Sequence, residues 1–107
     1  MINLDNGMVH FFTTQESTTC SPNIITTTGI NTDMSVGDTI TVTVTTTAAA
    51  GGFSANWLID GAAVTEEWNG GSAPSAGGSS GYDMYTLNII KTASATYTVL
   101  ANVVNFA

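Results

Sequence analysis

Charge is scarce in this chain. Only 8% of its 107 residues are charged, against roughly a quarter in an average globular domain, so Thr, Ser, Asn and Gly must supply the polar surface. Bases are scarcer still: Lys91 is the sole Lys or Arg beside eight acidic residues, giving a formal net charge of −7. Phosphate recognition relies on Lys and Arg, so nucleic acid is excluded as a ligand. Cys20 is the one cysteine, which rules out an intrachain disulfide and a multi-cysteine zinc site. No apolar run approaches the roughly 18 residues that cross a membrane, and residues 1–6 lack the basic and apolar regions of a signal peptide. The expected setting is a cytoplasm in which the protein is made and assembled, with no membrane partner.

The apolar residues that are present recur at period two and are mixed with β-branched Thr, Val and Ile, the pattern of half-buried strands. The clearest strand is 38–46, with Ile40, Val42 and Val44 facing a core and Thr39, Thr41, Thr43 and Thr45 facing water. Shorter strands are predicted over 8–13, after the Asn6-Gly7 turn, and over 23–28, after Pro22. An apolar run over 53–60 reaches Asp60-Gly61, the strongest hairpin signal in the chain, and returns as a strand over 62–68. Residues 69–81 read NGGSAPSAGGSSG and predict a long exposed loop. Strands over 82–91 and 95–106 follow, joined tightly through 92–94, with Leu87 and Ile89 on one face of the first and Val99, Ala101 and Val103 on one face of the second. The terminal residues 1–5 and 105–107 are expected to extend strands, and no segment reads as a helix.

These features predict an all-β fold over residues 1–107: a single antiparallel β-sandwich of about seven strands, immunoglobulin-like or jelly-roll-like. One domain of this length buries about two-thirds of its unfolded surface and needs no cofactor or metal for stability.

The stock of catalytic groups is poor. His10 is the only histidine; it lies in an apolar strand, and no Ser or Cys motif accompanies it. Glu66 and Glu67 are adjacent in a strand and point to opposite faces, so they do not form a catalytic pair. Asp60, Glu66 and Asp83 are the carboxylates that could meet around a Ca²⁺ or a glycan, but no recognised ligand spacing supports this. Gly70, Gly71, Gly77 and Gly78 lack the context of a phosphate cradle. The chain is expected not to be an enzyme. Trp68, Asn69, Pro74, Tyr82 and Tyr85 border the long loop, and aromatics so placed stack on sugars or anchor interfaces, which makes these five the expected contact residues. Trp57 is expected in the core.

The run WNGGSAPSAGGSSGYDMYTLNIIKTASATYTVLANVVNFA, from Trp68 to the end, resembles a C-terminal domain of virion structural and tail-fibre proteins of marine tailed phages, especially those of cyanobacteria. Its W-x-G-G-x-A-P segment is Trp68, Gly70, Gly71, Ala73 and Pro74; the G-x-D-x-Y-T-x-x-I-I-K-T segment runs from Gly81 to Thr92, and A-T-Y-T-V-L from Ala95 to Leu100. The upstream SVGDTITVTVTTTA and the IDG hairpin fit the same pattern. The resemblance implies a virion module without catalytic residues, and homotrimers by analogy. Family domains end longer proteins, whereas this sequence is the domain with its own Met1, so the expectation is a capsid decoration protein bound to the major capsid protein. A tail-fibre or glycan-binding module is the alternative.

Overall fold

A computed structural model describes residues 2–13 and 19–107. Nine strands occur among them: β1 (Ile2–Asn3), β2 (Val9–Phe12), β3 (Asn23–Ile25), β4 (Thr39–Thr47), β5 (Leu58–Ile59), β6 (Ala62–Ala63), β7 (Glu66–Trp68), β8 (Tyr82–Ala93) and β9 (Thr96–Phe106). They form a four-stranded sheet of order β1-β3-β5-β6 and a five-stranded sheet of order β2-β4-β8-β9-β7. The described residues are mostly strand, with one helical turn, but the expected single antiparallel sandwich of about seven strands does not hold, because nine strands form two mixed sheets. The pairs β1–β3, β2–β4, β3–β5 and β7–β9 run parallel.

The physical reason is the order in which the chain visits the sheets. From β1 to β5 successive strands land in alternate sheets. Each crossing reverses direction, so strands two apart in sequence run the same way and pair in parallel. Antiparallel pairing joins the hairpins β5–β6 and β8–β9, neighbours in sequence, and also β4–β8, which are distant in sequence. At the first of these, Asp60 (φ 51°) and Gly61 (φ 80°) both lie in the left-handed region, as a two-residue hairpin turn requires.

The strand alternation places side chains as expected along β4 and β8. Val42, Val44, Tyr85, Leu87, Ile89, Val99 and Ala101 of the larger sheet meet Ile2, Ile24 and Ile59 of the smaller one in a shared core, which also holds Trp57. The 53–60 run is a strand only at Leu58–Ile59, and the return segment 62–68 divides between the two sheets as β6 and β7. The expected amino-terminal extension is β1, with Met1 outside the described residues.

Sequence periodicity also misses one helical turn, α1 (Ile30–Asp33), too short to show a repeat. It is held at both ends by charged side chains from different sheets. Asp60 in the β5–β6 turn accepts hydrogen bonds from the Ile30 and Asn31 amides at 2.9 and 3.0 Å. Lys91 of β8 donates through Nζ to the carbonyl oxygens of Asn31 and Met34 at 2.6 and 2.8 Å. These are amides and carbonyls that a helix end leaves without an internal partner. The Ala95 amide in the β8–β9 turn completes the attachment by donating to Asn31 Oδ1 at 2.7 Å.

Candidate interaction surface

Because side chains alternate along a strand, the five-stranded sheet has a second face. Among the described residues of its long strands that point away from the core, none is buried: Thr39, Thr41, Thr43, Thr45 and Thr47 on β4, Tyr82, Met84, Thr86, Asn88 and Ile90 on β8, and Thr96, Thr98, Leu100, Asn102, Val104 and Phe106 on β9. The middle of this face is Thr and Asn, with Thr41 Oγ1 donating to Asn88 Oδ1 at 2.6 Å. Its one acidic residue on a strand is Glu67, opposite Leu100 at the β7 edge.

One end of the face is apolar. Phe11, Thr45, Met84 and Val104 lie in one cross-strand row, with Thr47, Tyr82 and Phe106 in the next. Val9 is 74% exposed, Phe11 55%, Phe106 52% and Tyr82 46%, so these side chains lie on the surface without being covered by it. The Phe11 and Tyr82 rings stack at 5.7 Å with a 58° tilt. Contiguous exposed apolar surface of this kind marks contact sites. Strand β2 also forms the outer edge of the sheet, and its sequence VHFF carries no Lys or Pro to discourage further pairing.

The five contact residues expected from sequence separate into different environments. Tyr82 belongs to the apolar end. Trp68 packs partly buried against the core, while Asn69 follows it in a short 3-10 turn and reaches Asn102 Oδ1 through Nδ2 at 3.3 Å. Both line a shallow groove with Glu67, Thr86, Asn88 and Asn102. Pro74 is half-buried in the loop. Tyr85 is instead a core residue, 1% exposed, with its ring edge-on to Trp57 at 5.5 Å. Its hydroxyl accepts the Ser54 amide at 3.0 Å, and burial pushes its pKa up.

The loop over 69–81 is tied down at its end rather than free throughout. Asp83, 2% exposed, accepts the Gly78 amide on both oxygens at 3.2 and 3.0 Å and Asn105 Nδ2 at 3.0 Å. The backbone approaches so closely that a Cβ on Gly78 would lie 2.0 Å from Asn105 Nδ2. A Cβ on Gly81 would lie 1.9 Å from the Phe106 carbonyl oxygen. This seats Tyr82 at the apolar end of the open face. Loop composition alone gave no signal of the attachment; Asp83, an acid at a core-facing strand position, was the available clue.

The other titratable groups are engaged apart from one another. Glu66 Oε1 accepts the Trp57 amide at 2.6 Å, Asp60 holds α1, and Asp83 holds the loop, so the three carboxylates considered as a calcium or glycan set each serve a separate main-chain site. No group of three or more His, Cys, Asp or Glu residues gathers among the described residues. His10 Nε2 lies 2.7 Å from the Gly7 carbonyl oxygen. A recess of about 300 Å³ between the sheets is lined by Ile2, Phe12, Val44 and Trp57, with Cys20 Sγ at its margin 3.0 Å from Ser54 Oγ.

The fold is a mixed-sheet β domain with a broad, charge-poor open face. Comparison with protein-family models, with curated proteins and with solved structures gives no match.

Proposed function

We propose that this chain is a non-enzymatic structural protein of a tailed-phage virion, a decoration protein seated on the head against the major capsid protein. The observation that carries the reading is the open face of the five-stranded sheet, which presents exposed Val9, Phe11, Tyr82, Leu100, Val104 and Phe106 on a surface whose polar residues are Thr and Asn apart from Glu67. A protein that strengthens a shell acts by adding contact area, and a wide sheet face provides it. Contacts of this composition rest on apolar burial and neutral hydrogen bonds, so screening by salt leaves them intact. The resemblance of residues 68–107 to virion domains supports the same reading; that run supplies the last residue of β7, the tethered loop, β8 and β9.

A second reading, a glycan-binding module of a tail fibre, is favoured by one specific feature: the groove that gathers Trp68 and Asn69 with Asn88, Asn102 and Glu67, amides and a carboxylate suited to sugar hydroxyls. Co-sedimentation of the purified chain with undecorated heads separates the two. Saturable binding to heads that survives high salt is the expected result. Binding to isolated tails or to host polysaccharide, with none to heads, replaces the first reading with the second.

A further inference from the structure

The reading above makes the open face a contact surface, and resting on it, we propose that its apolar end pairs with the same end of a second copy of this chain. Charge selects this occupant. The formal net charge is −7 with one Lys, and that Lys91 is 7% exposed, with its ammonium turned onto two carbonyl oxygens. The surface therefore offers carboxylates without compensating bases, and two copies repel wherever those carboxylates face each other.

Among the described residues, Asp83 adjoins Tyr82 but is buried on the core-facing side of β8, with its oxygens on the Gly78 amide and Asn105; Glu67 lies at the β7 edge of the open face, and Asp5, Asp33, Asp38 and Asp60 lie toward α1. Asp5, Asp33 and Asp60 all hold the segment that runs into and through α1: Asp5 binds Thr27, Asp33 binds Thr28, and Asp60 binds the Ile30 and Asn31 amides. Asp38 precedes β4 and binds the Ser35 amide. In the register of the larger sheet, Asp38 adjoins the Lys91 end of β8, whereas Tyr82, Phe11 and Phe106 lie at the opposite end of β4. Strand β4, which runs between the two ends, is 9 residues long, or about 30 Å at roughly 3.3 Å per residue, several times the roughly 8 Å screening length at physiological salt. Copies meeting at their apolar ends thus keep their acidic ends apart, whereas a basic partner would be drawn to the acidic end and leave the aromatics uncovered.

Size fits a reversible pair. Aromatic side chains bury about 150–250 Å² each when fully covered, so half-exposed Phe11, Tyr82 and Phe106, with Val9 and Val104 beside them, present roughly 400 Å² of apolar surface. A rim of Thr and Asn extends this toward the smaller specific interfaces, below about 1,200 Å² in total, which are characteristically weak and reversible. Among the described residues the patch contains no charge, so a two-fold contact, which sets the same patch against itself, brings no like charges together there.

Sedimentation velocity of the purified full chain across a broad concentration series tests the pairing. The expected result is a rise from monomer mass to twice that mass, undiminished by added sodium chloride. Phe11→Asp with Phe106→Asp is expected to weaken association about a hundredfold or more. Val9→Asp, at a side chain 74% exposed, tests the same contact where folding is least at risk, and Val36→Asp, 65% exposed at the α1 end, is the control that leaves pairing unchanged. A monomer at every concentration, or pairing equally sensitive to Val36→Asp, overturns the proposal, as does pairing untouched by Val9→Asp and the Phe variants when circular dichroism shows them folded. A monomer that still binds heads would refute the pairing alone; a pair that binds no virion part would refute the virion role alone.

Discussion

Replacing Lys91 by Met removes the ammonium while keeping a stem of similar length, and so isolates the clamp on α1. The side chain is 7% exposed and donates to the Asn31 and Met34 carbonyl oxygens at 2.6 and 2.8 Å. Hydrogen bonds to a charged group contribute about 1.5–3 kcal/mol each, and the two carbonyls left behind lose their partner. The ammonium no longer has to be desolvated, which offsets part of the loss. The expected net destabilisation is about 3 kcal/mol, or roughly 10–20 °C in melting temperature for a domain of this size. Against a usual stability of about 5–15 kcal/mol, the variant remains folded at room temperature. Urea unfolding followed by tryptophan fluorescence should show a lower midpoint and an unchanged slope. Both acceptors are main-chain carbonyls, so the loss should persist in high salt. A melting shift below about 3 °C would refute the view that this lysine holds α1 to the larger sheet.

Other expected outcomes follow from the same contacts. Gly81→Ala places a methyl 1.9 Å from the Phe106 carbonyl oxygen at φ +74° and should cost more than about 2 kcal/mol, whereas Gly70→Ala, at φ +82° in open space, should cost only about 1 kcal/mol; thermal melts of the pair decide this. Asp83→Ala frees the Gly78 amide and Asn105, so limited proteolysis should cut within residues 69–81 faster than in the parent chain. Tyr85 has its pKa raised by burial, so the folded state holds its proton more tightly than the unfolded chain. Its contribution to stability is therefore complete below about pH 10 and declines as pH rises above that value through the higher folded pKa, which melts between pH 8 and 12 will detect.

Much of the fold was legible because strand periodicity is a local property. Ile40, Val42 and Val44 alternate with threonines, and the structure buries that face; Asp60-Gly61 encodes its own turn. The parallel pairings were not legible, since they depend on which sheet each short strand joins, and nothing in Ile2–Asn3 or Asn23–Ile25 identifies a partner. The role of Lys91 was hidden for a similar reason: its acceptors lie 60 and 57 residues away in sequence. The open face was partly written in the sequence. Val9 and Phe12, on opposite faces of β2, are both apolar, as are Val103 and Val104 on β9, and a strand apolar on both faces is one that expects cover on both. Tyr85 misled because proximity to the loop in sequence says nothing of which face a strand residue takes; one position earlier or later it would have been on the surface.

The proposed role on a phage head is tested most directly by an electron-microscopy reconstruction, at side-chain resolution, of the purified particle whose genome encodes the chain. Copies at regular positions on the head lattice, with Phe11, Tyr82 and Phe106 covered, are the expected result. Copies confined to tail or fibres, or copies on the head with that apolar end facing solvent, would contradict it.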